Sequence, residues 1–232
     1  MIGDVAFPFS KLEEIPIDPP VVSLPLRSGV RPLLFVVEGQ HDIEFLRRLT
    51  VNLSRDDPAI PNLGAWEREG RLVFIPFGGG DVLAWSDRFA PLRCPEVHLY
   101  DRELPPETAN RLQAVSRVNS RPDCQAFLTN RRSLENYLHP TAIVLAGGLD
   151  VEFDSNTRVA ERVARHHFES FDSHPPWEEL SRRGRSRCLN RAKRWLNTVA
   201  VEYLSRELLE SADPQGEVLR WLGTISMLMP HE

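Results

Sequence analysis

Apolar residues follow two alternating patterns along the first 140 residues of the chain. Short unbroken apolar runs, rich in β-branched and aromatic residues, are typical of strands buried on both faces. Each run leads into a segment whose apolar residues recur at helical spacing. The predicted strands are residues 33–39, 71–76, 96–100 and 124–128. Strands that alternate with helices predict an α/β fold with a mainly parallel four-stranded sheet flanked by helices.

The helices between these strands are predicted from apolar spacing. After the first strand the spaced residues are Ile43, Leu46, Leu49 and Leu53, and after the second they are Val82, Leu83, Trp85 and Phe89. After the third they are Ala109, Leu112 and Val115. The fourth strand leads into a predicted helix over residues 131–138, and Pro140 is expected to end it.

The character of the chain changes at two positions. Residues 1–30 contain five prolines and no apolar period, which indicates an N-terminal arm. Residues 31–148 form the predicted α/β domain. Residues 149–232 form a helical C-terminal region, with helices expected over 157–169, 188–210 and 214–229.

Composition narrows the class of protein. Hydrophobic residues make up 41% and charged residues 26% of the 232, which suits a domain with a buried core and excludes disorder along the whole length. The net charge of -5 means that any nucleic-acid surface must be local. Three dispersed cysteines, no signal-peptide pattern and no membrane-length apolar run predict a reducing, cytoplasmic location without a membrane.

Acidic residues stand where predicted strands end. Glu38 follows the first strand and Asp42 lies four residues later, while Asp101 and Glu103 follow the third strand. Ligands of parallel sheets gather beyond the carboxyl ends of the strands, so these acids are expected to converge. Mg²⁺ or Mn²⁺ would offset their mutual repulsion. The alternative is that each acid has only a local structural role, for example at the N-terminus of a helix or in a turn.

Several motifs together resemble a known family. EGQHD at residues 38–42 and DRE at 101–103 resemble the Toprim domain of topoisomerases, bacterial primases and OLD-family nucleases. IPFGG at 75–79 and RRSLENYL at 131–138 resemble the OLD branch in particular. The resemblance covers about residues 31–140, extends more loosely to the phrase DPQGE at 213–217, and includes no ATPase motif.

The resemblance implies a Toprim-like fold and a metal-dependent endonuclease that hydrolyses DNA. Glu38, Asp42, Asp101 and Glu103 would bind one or two Mg²⁺ or Mn²⁺ ions, with Glu38 and Asp101 essential for catalysis. Lys193 would match the lysine that OLD-like nucleases place near the scissile phosphate. It is one of two lysines among 28 basic residues. Toprim proteins commonly carry D-x-D, so Glu103 is a departure.

Three other residues near these motifs have two possible roles each. Glu135 is a further candidate metal ligand, or it pairs with Arg131 one helical turn away. Asn136 is expected to orient a carboxylate or to contact phosphate. His41 is either a surface histidine or a contact to phosphate or a proton.

Basic residues are concentrated in one stretch. Residues 181–194 contain six arginines and Lys193 but no acid, which predicts a surface for phosphate groups. A solvated start of a helix is the alternative. The candidate nucleic-acid contacts are Arg131, Arg132, Arg182, Arg183, Arg185, Arg187, Arg191 and Arg194.

A second functional class stays open. The chain could be a catalytically inactive Toprim-like module that binds nucleic acid or a partner ATPase, and Glu103 and the missing ATPase favour this alternative. The expected partners are DNA, with RNA as the other choice, an ATPase acting in trans and a second copy of the chain. Primase and topoisomerase activities are disfavoured because no zinc ribbon or further domain is recognisable.

Overall fold

The computed structural model describes residues 31–171 and 175–229, so the predicted arm over residues 1–30 lies outside the described residues. Within these ranges the chain forms the predicted α/β fold, a four-stranded parallel sheet flanked by helices. The strands are β1 (Leu33–Val37), β2 (Leu72–Pro76), β3 (Glu96–Tyr100) and β4 (Cys124–Leu128). All four predicted strands are therefore confirmed, with ends shifted by at most two residues.

Helices connect the strands and form the C-terminal region. The first five are α1 (Gln40–Asp56), α2 (Leu63–Arg68), α3 (Val82–Ser86), α4 (Glu107–Asn119) and α5 (Pro140–Leu145). The remaining four are α6 (Val159–Glu169), α7 (Arg182–Thr198), α8 (Arg206–Ala212) and α9 (Glu217–Leu228). None of the helices in residues 31–171 and 175–229 combines the length and apolar character required to span a membrane.

The strand order places a crevice in the middle of the sheet. The order is β2-β1-β3-β4, so the chain goes from β1 to one neighbour and then crosses over to the other side. Leu34 of β1 pairs with Glu96 of β3 in parallel register. Connections that leave in opposite directions open a crevice at the carboxyl ends of these two strands, where ligands of such sheets bind.

Side chains of β1 alternate between two apolar clusters. Phe35 and Val37 belong to the larger cluster, to which Trp195 of α7 also belongs, whereas Val36 faces the smaller cluster with Ala114 of α4. The larger cluster therefore joins the sheet to the C-terminal helices in one core. The domain boundary at residue 148 remains a prediction.

Two helix predictions in the second half of the chain are wrong. Residues 131–138 contain only a short 3-10 helix, Leu134–Tyr137, and Pro140 begins α5 instead of ending a helix. Proline suits the first helical position because its missing N–H would have no partner there. The helix expected over 188–210 is divided into three helices. These are α7, which ends at Thr198, a 3-10 helix over Ala200–Tyr203, and α8. Ser205 caps α8 by accepting from the N–H of Leu208.

The apolar spacing on α4 matches its buried face only in part, since Val115 packs against the smaller apolar cluster. Leu112 is 55% exposed and Ala109 is exposed, whereas Arg111, Ala114 and Val118 face the sheet. Small Ala114 and Val118 pack into the smaller apolar cluster. Arg111 reaches beyond that cluster to the crevice, where its guanidinium lies near the carboxylate of Glu38, the residue after β1.

A buried polar network fixes β3. The carboxylate of Glu96 lies 2.8 Å from Nε2 of His98, whose Nδ1 lies 2.7 Å from the hydroxyl of Tyr100. Arg121 donates two hydrogen bonds to Glu96, at 2.7 and 2.9 Å. Burial alone would raise the pKa of Glu96, but the bonds from His98 and Arg121 lower it. The network anchors the strand that directly precedes Asp101.

Candidate functional site

Glu38 and Asp42 enter the crevice from the connection between β1 and α1. Glu38 follows the last residue of β1 and is partly buried, and Asp42 lies in the first turn of α1. The backbone N–H of Gly39 donates to Oδ2 of Asp42 at 2.7 Å. This bond fixes the orientation of the Asp42 side chain. Asp42 is also buried, with 4% of its surface exposed.

Asp101 enters the same crevice from β3. It directly follows Tyr100 and is 6% exposed. Burial, and then the nearby carboxylates of Asp42 and Glu38, raise the pKa of Asp101 well above its usual range. Burial also raises the pKa of Asp42, to about 7, although the Lys193 ammonium opposes the shift. The sheet therefore brings these three predicted acids into one electrostatic cluster, as expected from the strand ends.

Glu135 and Lys193 complete this cluster. Glu135 is 3% exposed, its Oε1 accepts from Nδ2 of Asn197 at 2.7 Å, and the same oxygen lies 3.8 Å from Nζ of Lys193. Burial alone would raise the pKa of Glu135, but Lys193 and hydrogen bonds from Ser133 and Asn197 lower it. The carboxylate is therefore ionised, and its partner is Lys193 instead of Arg131.

Lys193 lies among several acids at once. Burial would lower its pKa, but Glu135, Asp42, Asp101 and Glu38 together raise it above the ordinary value. The ammonium thus stays charged inside the cluster. Lys193 and Asn197 stand one turn apart on α7, so a single face of this helix supplies both partners of Glu135.

Glu103 has a different position from the other predicted ligands. Its backbone adopts a positive φ of 49°, and its carboxylate lies 3.5 Å from the guanidinium of Arg132. The side chain is partly exposed, and its backbone N–H donates to the carbonyl of Arg132 at 3.4 Å. Glu103 is therefore tied to the loop after β4, at the side of the crevice.

The two arginines before Glu135 have internal contacts. Arg131 donates to the carbonyls of Asn136 and Ala212, and its guanidinium stacks over the ring of Tyr137. Arg132 pairs with Glu103. Asn136 accepts from the backbone N–H of Ser133 and donates to the carbonyl of Asp154. Arg131 and Asn136 thus hold the loop that carries Glu135, and their predicted contacts to phosphate remain untested.

Most predicted arginines of α7 are on the surface. Arg182, Arg183, Arg185, Arg187 and Arg191 are exposed, while Arg194 is partly buried. Ser181 caps the helix by accepting from the N–H of Gly184 at 3.1 Å. The same helix therefore carries a basic outer surface and, near its C-terminal end, the ammonium that enters the crevice.

Two residues of the crevice were not predicted from the sequence. Asn197 binds Glu135, and Nη2 of Arg111 lies 3.5 Å from Oε2 of Glu38. A signal for Arg111 exists in the sequence, because Arg111, Ala114 and Val118 also have helical spacing. The signal for Asn197 is its place one turn after Lys193. Apolar spacing indicated neither residue, because both side chains are polar.

The glycine loop after β2 supports Glu38. The N–H of Gly78 donates to the Glu38 carbonyl at 2.8 Å. Gly78 and Gly79 adopt φ values of 75° and 68°, which favour glycine. A Cβ atom on Gly79 would lie 3.5 Å from Oε1 of Glu38. This loop therefore packs against the carboxylate. His41 belongs to the same electrostatic cluster, and burial and the Lys193 ammonium lower its pKa.

The segment DPQGE at residues 213–217 has a structural role. The carboxylate of Glu217 accepts from the N–H of Asn130, at 3.0 Å, and from the hydroxyl of Tyr137. Asp213 accepts from the N–H of Val218 at 2.8 Å. These bonds join α9 to the end of β4 and to the 3-10 helix that carries Glu135.

The donor set suits a hard divalent cation in chemistry and charge. Buried carboxylates with few cations favour Mg²⁺ or Mn²⁺, because oxygen ligands and negative charge are what these ions require. Among residues 31–171 and 175–229, however, no three Asp, Glu, His or Cys side chains are arranged to hold a metal ion as they stand. The carboxylates would have to close around an ion.

Comparisons with known proteins give two distant structural neighbours. Both are crystal structures of the C-terminal region of the OLD protein of Xanthomonas campestris pv. campestris. The form phased with iodine has a TM-score of 0.35 and 14% identity, and covers 84% of each chain. The form phased with platinum has a TM-score of 0.34 and 15% identity, and covers 85% of this chain and 83% of that one. No protein-family model and no curated protein matches.

Proposed function

We propose that this chain is a metal-dependent endonuclease that hydrolyses phosphodiester bonds of DNA in the crevice between β1 and β3. One observation carries the proposal: Glu38, Asp42, Asp101 and Glu135 lie within electrostatic reach of one another and of Lys193. Groups with strongly perturbed pKa values in a cleft are typical of active sites. The Toprim-like motifs that supply these residues support the same reaction.

The carboxylates of Glu38, Asp42 and Asp101 would hold Mg²⁺ or Mn²⁺, with Glu135 and Glu103 as further ligands. Such an ion supplies Lewis-acid stabilisation of the phosphate and lowers the pKa of water. Gly39 and the glycine loop hold Asp42 and Glu38 in place before substrate arrives. A preset ligand arrangement reduces the cost of ordering the site.

Lys193 would act on the substrate itself. Its charged ammonium can approach one phosphate oxygen or donate a proton to the leaving oxygen. Glu135 and Asn197 fix the end of α7 that carries it, because both bind at that turn. The lysine would therefore need only a short movement from Glu135 to a phosphate.

The exposed arginines of α7 would bind the DNA backbone. Arg183, Arg187 and Arg191 follow one another at four-residue spacing and so share one stripe of the helix. From Arg182 to Lys193 the helix rises about 16 Å, which is the length of about five base pairs. Lys193 follows Arg191 by two residues and lies on a different face of α7, so a backbone strand on this stripe would have to bend around the helix to reach the crevice.

An inactive binding module is the second candidate, and one observation favours it. Glu103, the residue that departs from the D-x-D pattern, pairs with Arg132 beside the crevice. If this pair persists when metal is present, the site has one ligand fewer than the motif implies. Such a protein would bind DNA, or a partner ATPase, without cleaving it.

Cleavage of supercoiled plasmid distinguishes the two functions. Wild-type protein, Glu38→Ala and the surface control Glu207→Ala are incubated with Mg²⁺ or Mn²⁺. The proposal predicts metal-dependent nicked or linear products with wild type and Glu207→Ala, and none with Glu38→Ala. DNA binding without products under every metal would support the inactive module.

A further inference from the structure

Arg111 is a buried arginine on the face of α4 where an apolar residue would be expected. The helix turns Arg111 toward the sheet and leaves Leu112 in solvent. Arg111 is only 8% exposed, and its Nε and Nη1 atoms are buried without a hydrogen-bond partner in the described part of the chain. Unpaired buried donors are costly. A residue that breaks the local pattern at such a cost marks a functional position.

Within residues 31–171 and 175–229, the polar contact of this guanidinium is to Glu38. Nη2 of Arg111 lies 3.5 Å from Oε2 of Glu38, while Gly79 packs near the other carboxylate oxygen. Glu38 is thus held between α4 and the glycine loop. Lys193 belongs to α7, which packs on the opposite face of the sheet through Trp195. The crevice therefore receives one cation from each helical layer.

A guanidinium next to Glu38 affects any ion that this carboxylate would bind. It offsets part of the negative charge and draws one oxygen toward α4. It also repels a divalent cation at close range, because the effective dielectric near partly buried groups is well below that of water. The carboxylate oxygen that faces Arg111 is therefore a weaker metal ligand than it would be without the guanidinium.

We propose that Arg111 is a positioning residue that holds Glu38 in the metal-free state and competes with the divalent cation for this carboxylate. The proposal rests on the proposed function, since it assumes that Glu38 is a metal ligand. It agrees with the finding that no three Asp, Glu, His or Cys side chains among the described residues are arranged to hold an ion. Arg111 thereby stabilises the empty crevice and weakens metal binding.

Mn²⁺ titration with free Mn²⁺ measured by electron paramagnetic resonance tests this role in the full chain. Four variants are compared with wild type: Arg111→Met, Arg111→Gln, Arg111→Lys and Arg117→Met, a surface control on the same helix. Loss of the charge in Arg111→Met and Arg111→Gln should tighten Mn²⁺ binding by about tenfold or more, given one unit charge close to a divalent ion. Arg111→Lys and Arg117→Met should bind as wild type does.

Thermal unfolding supplies a second readout. In EDTA, Arg111→Met should melt below wild type because Glu38 loses its partner. Addition of Mn²⁺ should raise its melting temperature by more than that of wild type, because tighter binding stabilises the folded state more. A merely structural role would lower both melting temperatures equally and leave Mn²⁺ affinity unchanged.

The outcomes separate this proposal from the function on which it rests. If wild type binds Mn²⁺ and both neutral variants bind it equally or more weakly, the role of Arg111 is wrong and the metal site stands. If wild type shows no saturable Mn²⁺ binding, the metal site is wrong and the role of Arg111 falls with it. Arg111→Gln keeps a donor for Glu38 and decides the question if Arg111→Met does not fold.

Discussion

The ammonium of Lys193 lies 3.8 Å from a carboxylate oxygen of Glu135, a residue that is almost completely buried. This pair joins α7 to the 3-10 helix after β4, and so brings residues that are distant in sequence into one crevice. It also keeps Glu135 ionised, since Lys193 lowers the pKa of that carboxyl. The relationship gives Lys193 a structural task in addition to its proposed catalytic one.

Substitution of Lys193 separates these two tasks. Lys193→Met should lower the free energy of unfolding by about 1–3 kcal/mol, because Glu135 loses its charged partner in a buried position. Cleavage should fall by about 10²-fold or more if the ammonium donates a proton. Lys193→Arg keeps the charge and should recover most of the stability, but not the cleavage rate. Denaturant unfolding and plasmid cleavage measure the two effects, with Glu207→Ala, an exposed position on α8, as the control. Full cleavage by Lys193→Met would refute the catalytic role.

The pH dependence of stability tests the environment of Asp42. Its pKa is raised from 3.8 to about 7 in the folded chain, so the folded state binds a proton that the unfolded state releases above pH 3.8. This contribution to stability is fully present below pH 3.8 and is lost as pH rises through about 7. The loss is at most about 4 kcal/mol, at 1.36 kcal/mol per pKa unit.

Asp42→Asn isolates that contribution. The asparagine oxygen can still accept from Gly39, but the side chain does not titrate. In EDTA, wild type should therefore lose stability relative to Asp42→Asn as pH rises from 4 to 8. Urea unfolding at several pH values measures the difference. A difference that is constant with pH would show that Asp42 titrates normally.

The salt dependence of DNA binding tests the surface of α7. Arg183→Ala and Arg187→Ala should each weaken binding to any sequence. Each should also reduce the slope of log affinity against log salt by about one, because one phosphate contact is lost. Fluorescence anisotropy at several salt concentrations provides the slopes. Arg117→Ala lies on α4, on the other face of the sheet, and should leave the slope unchanged. Equal slopes for all variants would place the DNA elsewhere.

The bonds of Glu217 provide a stability test of the contacts that hold the 3-10 helix of Glu135. Glu217→Ala leaves the hydroxyl of Tyr137 and the N–H of Asn130 without their acceptor. The free energy of unfolding should fall by about 2–3 kcal/mol, the cost of unsatisfied buried groups. Glu207→Ala, which is exposed on α8, should change it by less than about 0.5 kcal/mol. A loss no larger than that of the control would show that Glu217 does not hold the 3-10 helix.

The sequence predicts the sheet well because its signals there are local. Each strand is a short apolar run, and Glu38 and Asp101 directly follow two of them. Their meeting needed only the rule that ligands gather at the carboxyl ends of parallel strands. The four strands, the helix after Glu38 and the α/β fold class are thus readable without tertiary information.

The remaining features depend on contacts that no local pattern encodes. Arg111 is buried beside Glu38, a residue 73 positions earlier in the sequence, whereas the neighbouring apolar Leu112 is exposed. Asn197 meets Glu135 across 62 positions of sequence. Pro140 can end one helix or begin the next, and the choice here depends on packing of α5 in the core.

The location of a bound metal tests the central claim most directly. Crystals of the protein soaked in Mn²⁺ would show the ion by its anomalous scattering, without reliance on activity. We predict a peak in the crevice within about 2–2.5 Å of carboxylate oxygens of Glu38, Asp42 and Asp101, distances typical of oxygen ligands to hard divalent ions. Crystals that contain saturating Mn²⁺ but show no anomalous peak among these three carboxylates would contradict the claim.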